Sequence, residues 1–401
     1  MERTFAAGTP TLLRAMNERS VLELIHQRGP LSRAQLARES GLSKPTVSVA
    51  LSELIEAGLV REMGRSRSRR GPSAVLYEVD PTAGRVVGID VGRYWVRAAI
   101  ADITGAIIAR RDERARVRSA GSLIGQIGEI AHHLAGEAGL PWSEVTHATV
   151  GSPGVFDPGR DLVALAPSLP GWGRHGLAEA VGEVLGTKVS FENDVNLAAL
   201  GERDVGHGRG VRNFVYLSVG TGVGMGLVLN GELYRGQTGA AGEIAYMPIG
   251  DGDPRDPATQ RRGAFEEAAS AAAIVRRARS LGVTPPLTAK NVFTAARRGD
   301  RLALRVVEEE AARLAVGIAT VAPLLDPEVI ILGGGVGQNG DLLLPMIERE
   351  LRTLSPFRPR VVVSALGEEA VLHGAVATAL EAARDRVFSR PGGPEAKEAT
   401  G

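Results

Sequence analysis

Between Asn17 and Gly58, apolar residues recur three and four positions apart, the spacing of helices that turn one face to a core. NERSVLELIHQRG puts Val21, Leu24 and Ile25 on one face and stops at Gly29-Pro30. SRAQLARES opens on Ser32 and turns Leu36 and Ala37 inward. GLS (41–43) makes a turn in which Ser43 serves as N-cap, with Pro45 early in the next helix. That helix, KPTVSVALSELIEAG, carries the stripe Val47, Ala50, Leu51 and Leu54 before Gly58 ends it. LVREM and AVLYEVD then read as short strands around the loop GRSRSRRGPS. Three helices and a basic two-stranded wing predict a winged helix-turn-helix over residues 1–82.

From Gly84 the pattern changes. VVGIDVG, YWVRAAIAD and AIIARRDER read as three strands joined by glycine turns, SLIGQIGEIAHHLAGEAG as a helix, and HATVGSPG as a buried strand ending in a Gly-Pro turn. Near 213 a second run opens with NFVYLSVGTGVG and MGLVLNGEL as a hairpin. Strands followed by helices, twice over, predict two α/β lobes with a cleft between them. The tail 386–401 is rich in Pro, Gly and charge and is expected to be disordered.

At 401 residues the chain exceeds what one core usually supports, in agreement with several domains. Its 51 glycines call for many tight turns and close backbone approaches. With no cysteine, disulfides and thiolate metal sites are excluded. No apolar stretch is long enough to span a bilayer, and the first 20 residues lack the layout of a signal peptide, so the cytoplasm is the expected compartment. Net charge is only +1, so any affinity for nucleic acid must come from a local patch.

Such a patch exists. The second helix of the motif offers Ser43, Lys44, Thr46, Ser48, Val49 and Ser52, and would enter the major groove with its first residues at base edges. The wing carries Arg65, Arg67, Arg69 and Arg70, a density suited to phosphates or a narrow minor groove. The alternative is an interaction module with solvated arginines. Residues 1–80 sum to only +3, so paired heads on a two-half-site operator are expected rather than a single head.

GIDVG (88–92), GSPGVFD (151–157), LPGW (169–172), FENDVNLAALGE (191–202), SVGTGVGMG (218–226), GAAGEI (239–244) and ILGGGV (331–336) occur in one order over residues 84–385. With the head in front, this set resembles the ROK family of repressors, uncharacterised reading frames and sugar kinases. The resemblance implies an actin/hexokinase-type, ribonuclease H-like ATPase fold. Its smaller α/β lobe would span 83–195, completed by a C-terminal helix near 370–385, and its larger lobe 196–369. It also implies that Asp194 stands where the kinases keep their catalytic base and that Asn193, Glu243 and Glu266 contact sugar hydroxyls. Gly151, Pro153 and Gly154 would floor the sugar cleft. Read by themselves, Asn193 and Asp194 could equally cap a helix and the glutamates could be surface residues.

Three departures qualify the kinase side. Tyr246 replaces the family's sugar-contacting histidine, and PATQRRGA (257–264) replaces its cysteine-rich zinc segment, so no metal and no cofactor are expected. The phosphate turn, which in the kinases reads Asp-x-Gly-Gly-Thr, keeps Asp90 and Gly92 but continues with Arg93 and Tyr94, whose bulk would crowd a triphosphate. Gly220, Thr221 and Gly222 could still cradle a phosphate, and Gly334 stands where the family places adenosine; both glycine turns could equally be structural. The reading is a carbohydrate-gene regulator, a repressor by expectation, that binds operator DNA as a homodimer or homotetramer. It would answer to a sugar or sugar phosphate that it does not phosphorylate. A DNA-binding ATP-dependent sugar kinase is the rival from the enzyme class, and a DNA-binding protein whose body is only a dimerisation scaffold is the other.

Overall fold

The computed structural model describes residues 10–65, 74–157, 159–166, 169–250 and 252–387. In the head, α1 (Pro10–Arg28), α2 (Arg33–Ser40) and α3 (Lys44–Glu56) pack against a three-stranded sheet. Its order is β1 (Leu31–Ser32), β3 (Val75–Val79), β2 (Val60–Arg65), all antiparallel. Ser32 caps α2 in a reciprocal capping box with Gln35, and Gly41 (φ +73°) turns the chain from α2 into α3. The core is Val21, Leu22, Ile25, Leu36, Val47, Leu51, Leu54 and Tyr77. Leu22 takes the fully buried place expected for Leu24, which is only partly covered.

Two five-stranded sheets form the body. The first uses β4 (Arg85–Val91), β5 (Trp95–Asp102), β6 (Ile107–Arg114), β7 (Val145–Ser152) and, beyond a two-stranded ribbon β8 (Val155–Asp157) and β9 (Leu162–Ala164), β10 (Val189–Asn193). The second uses β11 (Phe214–Val219), β12 (Val223–Leu229), β13 (Glu232–Leu233), β14 (Val329–Gly333) and β15 (Arg360–Val363). Their orders, β10-β7-β4-β5-β6 and β15-β14-β11-β12-β13, are the same topology used twice. In each, the first strand pairs antiparallel with its hairpin partner and parallel with one later strand, which in turn pairs parallel with the edge strand beyond it. The hairpin of the second sheet turns at 220–222, so Val223 and Gly224 already lie in β12 rather than closing the first strand.

Helices α4 (Ala120–Glu137) and α5 (Leu177–Leu185) cover one face of the first sheet. The second lobe carries α7 (Pro257–Arg262), α8 (Ala264–Ala269), α9 (Ala271–Leu281), α10 (Ala289–Arg297), α11 (Arg301–Leu325), α12 (Gly334–Gly337) and α13 (Gly340–Leu354). Between the lobes lie α6 (Asp194–Val205) and α14 (Ala370–Val387). The two helices pack backbone to backbone: a Cβ on Gly374 would meet the Leu197 carbonyl oxygen at 1.8 Å, and one on Gly201 the Ala370 oxygen at 2.3 Å. α14 also covers β4, β5 and β7, where Gly88 admits Val376. Residues 386 and 387 continue α14 instead of starting the tail, whose remainder lies outside the described residues.

The head core runs on into the body. Val86, Ala99, Ala101 and Ile103 of the first sheet, with Leu372, Val376, Ala379, Leu380 and Ala383 of α14, belong to the same apolar cluster.

Candidate functional site

Parallel strands bring Asp90 (β4), Gly151 (β7) and Glu192 (β10) into register at their C-terminal ends, the edge at which α/β sheets bind ligands. Asn193 closes β10 and caps α6: its Oδ1 accepts from the N–H groups of Val195 (2.8 Å) and Asn196 (3.1 Å). Its Nδ2 donates to the Gly154 carbonyl at 3.0 Å. The capping role considered for Asn193 is therefore present, and one Nδ2 hydrogen remains for a ligand. Gly151 is buried where any Cβ would strike Leu197 at 2.6 Å, and Gly154 (φ +97°) lies against the Ala164 carbonyl. Pro153 is half-buried between them.

Asp194 opens α6 with one carboxylate oxygen on the Val195 N–H (2.9 Å). Burial, then the charges of Asp90 and Glu243, push its carboxyl up to about 7. Burial followed by the charge of Glu266 raises Glu243, and burial also raises Glu266, which accepts from the Val223 N–H at 3.1 Å. The Tyr246 phenol is raised by burial, then by the charges of Glu243 and Glu266. Four groups named from the sequence, Asp194, Glu243, Tyr246 and Glu266, thus share one electrostatic neighbourhood. Among the described residues, neither Asp194 nor Glu243 has a basic partner.

The nucleotide side differs from the expectation. Arg93 and Tyr94 are exposed, the guanidinium 5.5 Å from the phenol ring, and neither fills a buried gap. The cation that closes on Asp90 is Arg97, its cross-strand partner on β5. Its guanidinium donates to Asp90 at 3.0 Å and to Glu368 at 2.9 Å, and lies 3.5 Å from Asp112. Burial raises Asp90 to about 6 even though Arg97 opposes the shift. Gly220 and Gly222 form the β11–β12 turn, with Thr221 exposed, and a Cβ on Gly222 would press on Glu266 at 2.7 Å. Gly334 (φ +73°) packs on the Val219 carbonyl. The segment in place of the family's zinc loop is α7, where Thr259, Gln260, Arg261 and Arg262 offer two guanidinium groups and no thiolate; these residues do not fit a zinc ion.

Sequence reasoning missed Arg97, Glu368, Glu192 and Arg235. Arg235 crosses from the second lobe to Glu192 at 2.7 Å, and Glu192 also holds the Asn193 N–H and Asn196. Arg97 was findable, because a hairpin turning at 92–94 sets it opposite Asp90.

On the head, Ser43 caps α3 through the Thr46 N–H (3.2 Å) and bonds its hydroxyl (2.7 Å), so it is committed to the helix. Lys44, Val49, Ser52 and Arg65 are exposed, while Thr46 and Ser48 are half-buried. Arg67, Arg69 and Arg70 lie outside the described residues.

A winged head on a duplicated ribonuclease H-like body with a carboxylate-lined cleft defines a class shared by sugar kinases and regulators. Residues 86–382 match the ROK family and residues 17–61 a winged helix-turn-helix DNA-binding family. The chain belongs to the ROK family. It is 27% identical over 387 residues to the xylose repressor of Caldicellulosiruptor bescii, covering 92% of this chain and 96% of that one. Among solved structures it resembles a ROK family transcriptional regulator homologous to the E. coli MLC protein (TM-score 0.77, 25% identity, 94% and 98% of the two chains). It also resembles a ROK family glucokinase from Streptomyces griseus in complex with glucose and AMPPNP (TM-score 0.64, 28% identity), across 74% of this chain and all of that one.

Proposed function

We propose that the protein is a DNA-binding repressor of carbohydrate genes that senses an unphosphorylated sugar between its lobes and does not phosphorylate it. The observation that carries the second half is the Arg97 guanidinium on Asp90. Phosphoryl transfer needs carboxylates that hold a metal ion against the phosphates. Here one carboxylate oxygen of Asp90 accepts from a built-in cation, which also repels a divalent one. The sugar class follows from charge. Asp194, Glu243 and Glu266 are acceptors suited to hydroxyl groups, and their mutual repulsion disfavours a phosphate ester in the same space. The similarity to a xylose repressor across head and body supports the regulatory reading. Two copies on a two-half-site operator, in the cytoplasm, fit the low charge of one head.

One observation favours a kinase: the glycines of the kinase phosphate and adenosine turns are present at Gly220, Gly222 and Gly334, and a Cβ has no room at Gly222 or Gly334. A coupled assay with Mg-ATP over a pentose and hexose panel separates the two. Turnover that Asp194→Asn abolishes would establish the enzyme. Fluorescence anisotropy on a fragment of the promoter the protein occupies, with and without each sugar, tests the regulator. A shift in operator affinity of about 5-fold or more is expected. Binding that no sugar alters at millimolar concentration would leave the body as a dimerisation scaffold.

A further inference from the structure

Behind the sugar cleft lies a second cavity, of about 380 Å³, between α7–α8, α9 and α11. Gly252, Ala264, Ala268 and Ala273 leave the space, because none of them projects beyond a methyl group. The polar groups that line it are Arg276, Arg277, Arg313, Thr259, Ser280 and Glu267, with Glu309 behind the lining beside Arg277 and Arg313. The three arginines differ in how they are held. Arg277 is gripped by both oxygens of Glu309 at 2.5 and 2.6 Å. Arg313 arrives from α11, one turn past the buried Glu310. Arg276 donates to the Glu267 carbonyl and, among the described residues, has no carboxylate partner, while its side chain lines the cavity. Glu267 itself accepts from Thr259 (3.3 Å) with Arg262 at 3.8 Å.

We infer that this cavity is a second ligand site, for a small dianionic metabolite: a phosphate monoester or a dicarboxylate of a few carbons. A planar guanidinium binds either group through paired N–H donors. The volume is that of a site for a small metabolite, and the sugar cleft, crowded with carboxylates, disfavours such a ligand.

The position gives the site a consequence. α8 separates the two ligand spaces, with Glu266 on the cleft side and Glu267, one residue on, at the cavity. Its first turn is wedged in place: Gly263 (φ +89°) sits where a Cβ would strike the Ala245 carbonyl oxygen at 2.2 Å, next to Tyr246. An anion drawn to Arg276 pulls on the Glu267 carbonyl, and α8 carries Glu266 with it while its start presses on the main chain at Ala245 and Tyr246. Anion and sugar would therefore change each other's affinity without sharing a site. This coupling, but not the site, rests on the sugar reading above.

Isothermal titration of the full-length protein, without sugar, decides the site. The probes are inorganic phosphate, glycerol 3-phosphate and malonate, so that the phosphate and carboxylate sources are read separately. Saturable binding of at least one probe at low millimolar concentration is expected, weakened about tenfold by Arg276→Ala and unchanged by Arg349→Ala, a surface arginine elsewhere. Both variants should melt as the parent does. Absence of binding by every probe at 10-fold higher concentration overturns the proposal, as does binding that Arg276→Ala leaves intact. Sugar titrated in a separate experiment stands or falls independently, and a sugar affinity that the bound anion leaves unchanged would overturn the coupling alone.

Discussion

Replacing Arg97 by alanine removes the counter-ion from a buried carboxylate, and the cost can be bounded from the protonation of Asp90. In the folded protein this carboxyl lies at about 6 against an ordinary 3.8, so at neutral pH the ionised form already costs about 3 kcal/mol. Without Arg97 the carboxyl rises further, but its penalty is capped, because at pH 7 it can take up a proton for about 4 kcal/mol in all. The ionisation of Asp90 therefore adds only about 1 kcal/mol, well below the 3–5 kcal/mol typical of a stranded buried charge. Lost contacts of Arg97 with Glu368 and Asp112 add about 1 kcal/mol more, for an expected loss of about 2–3 kcal/mol at pH 7. The sign follows from the raised carboxyl: the stability it supplies is complete below 3.8 and is lost as pH rises through 6. At pH 5 parent and variant both hold Asp90 largely protonated, so the deficit should shrink to about 1 kcal/mol. Tryptophan fluorescence during denaturant unfolding is the assay, since Trp95, Trp142 and Trp172, all the tryptophans of the chain, lie in the first lobe. Asp90→Asn in the variant should restore most of what was lost at pH 7. A deficit equal at pH 5 and pH 7, or no coupling in the double-mutant cycle, would refute the reasoning.

Sugar binding should strengthen between pH 6 and pH 8, because hydroxyl donors favour the ionised form of Asp194, which lies at about 7 when the cleft is empty. Titration calorimetry in buffers of different ionisation enthalpy should show proton release, and Asp194→Asn should flatten the pH profile. Glu310 is buried, neither of its oxygens has a hydrogen-bond partner among the described residues, and burial raises its carboxyl well above the ordinary range although the charge of Arg313 opposes the shift. Glu310→Met should stabilise the second lobe, by more at pH 8 than at pH 5 and by up to about 1.4 kcal/mol for each pH unit above the unfolded value; an unchanged denaturation midpoint at pH 8 would count against it. Lys44→Ala should weaken specific operator binding more than nonspecific binding, measured by anisotropy with competitor DNA. Gly374→Ala forces a methyl to within 1.8 Å of the Leu197 carbonyl, so it should lower the melting temperature and blunt the operator response to sugar.

How much of this could be read from the chain depended on the range of the contacts involved. Helix stripes, Ser32 and Ser43 as caps, and the glycine turns are set by residues within four positions, and local patterning exposes them. The family motifs led to Asp194, Glu243, Tyr246 and Glu266, which lie up to 72 residues apart and are brought together only by the two sheets. What stayed hidden was partnership across strands and lobes. Arg93 and Tyr94 drew attention because they break a motif, yet they point outward; Arg97 looks like any strand arginine until β4 and β5 are paired. Glu368, 271 residues away, completes its shell, and no sequence spacing could have indicated that.

The same two interlobe helices explain why a ligand in this cleft reaches the DNA-reading head. Asp194 is the first residue of α6, so a hydroxyl bound there acts on the end of a rigid rod. α6 meets α14 through glycines that bring main chain against main chain, flanked by the buried Leu197, Leu200 and Ala375, so the crossing itself has little room to absorb a shift. α14 in turn shares an apolar cluster with the core of the head, and its Arg384 lies close enough to His26, near the end of α1, to lower the imidazole's proton affinity, second to burial. Close-packed interfaces of this kind slide as units or not at all. A rotation of one lobe on the other that moves α6 therefore moves α14 with it, and α14 passes the shift to the apolar cluster it shares with the head.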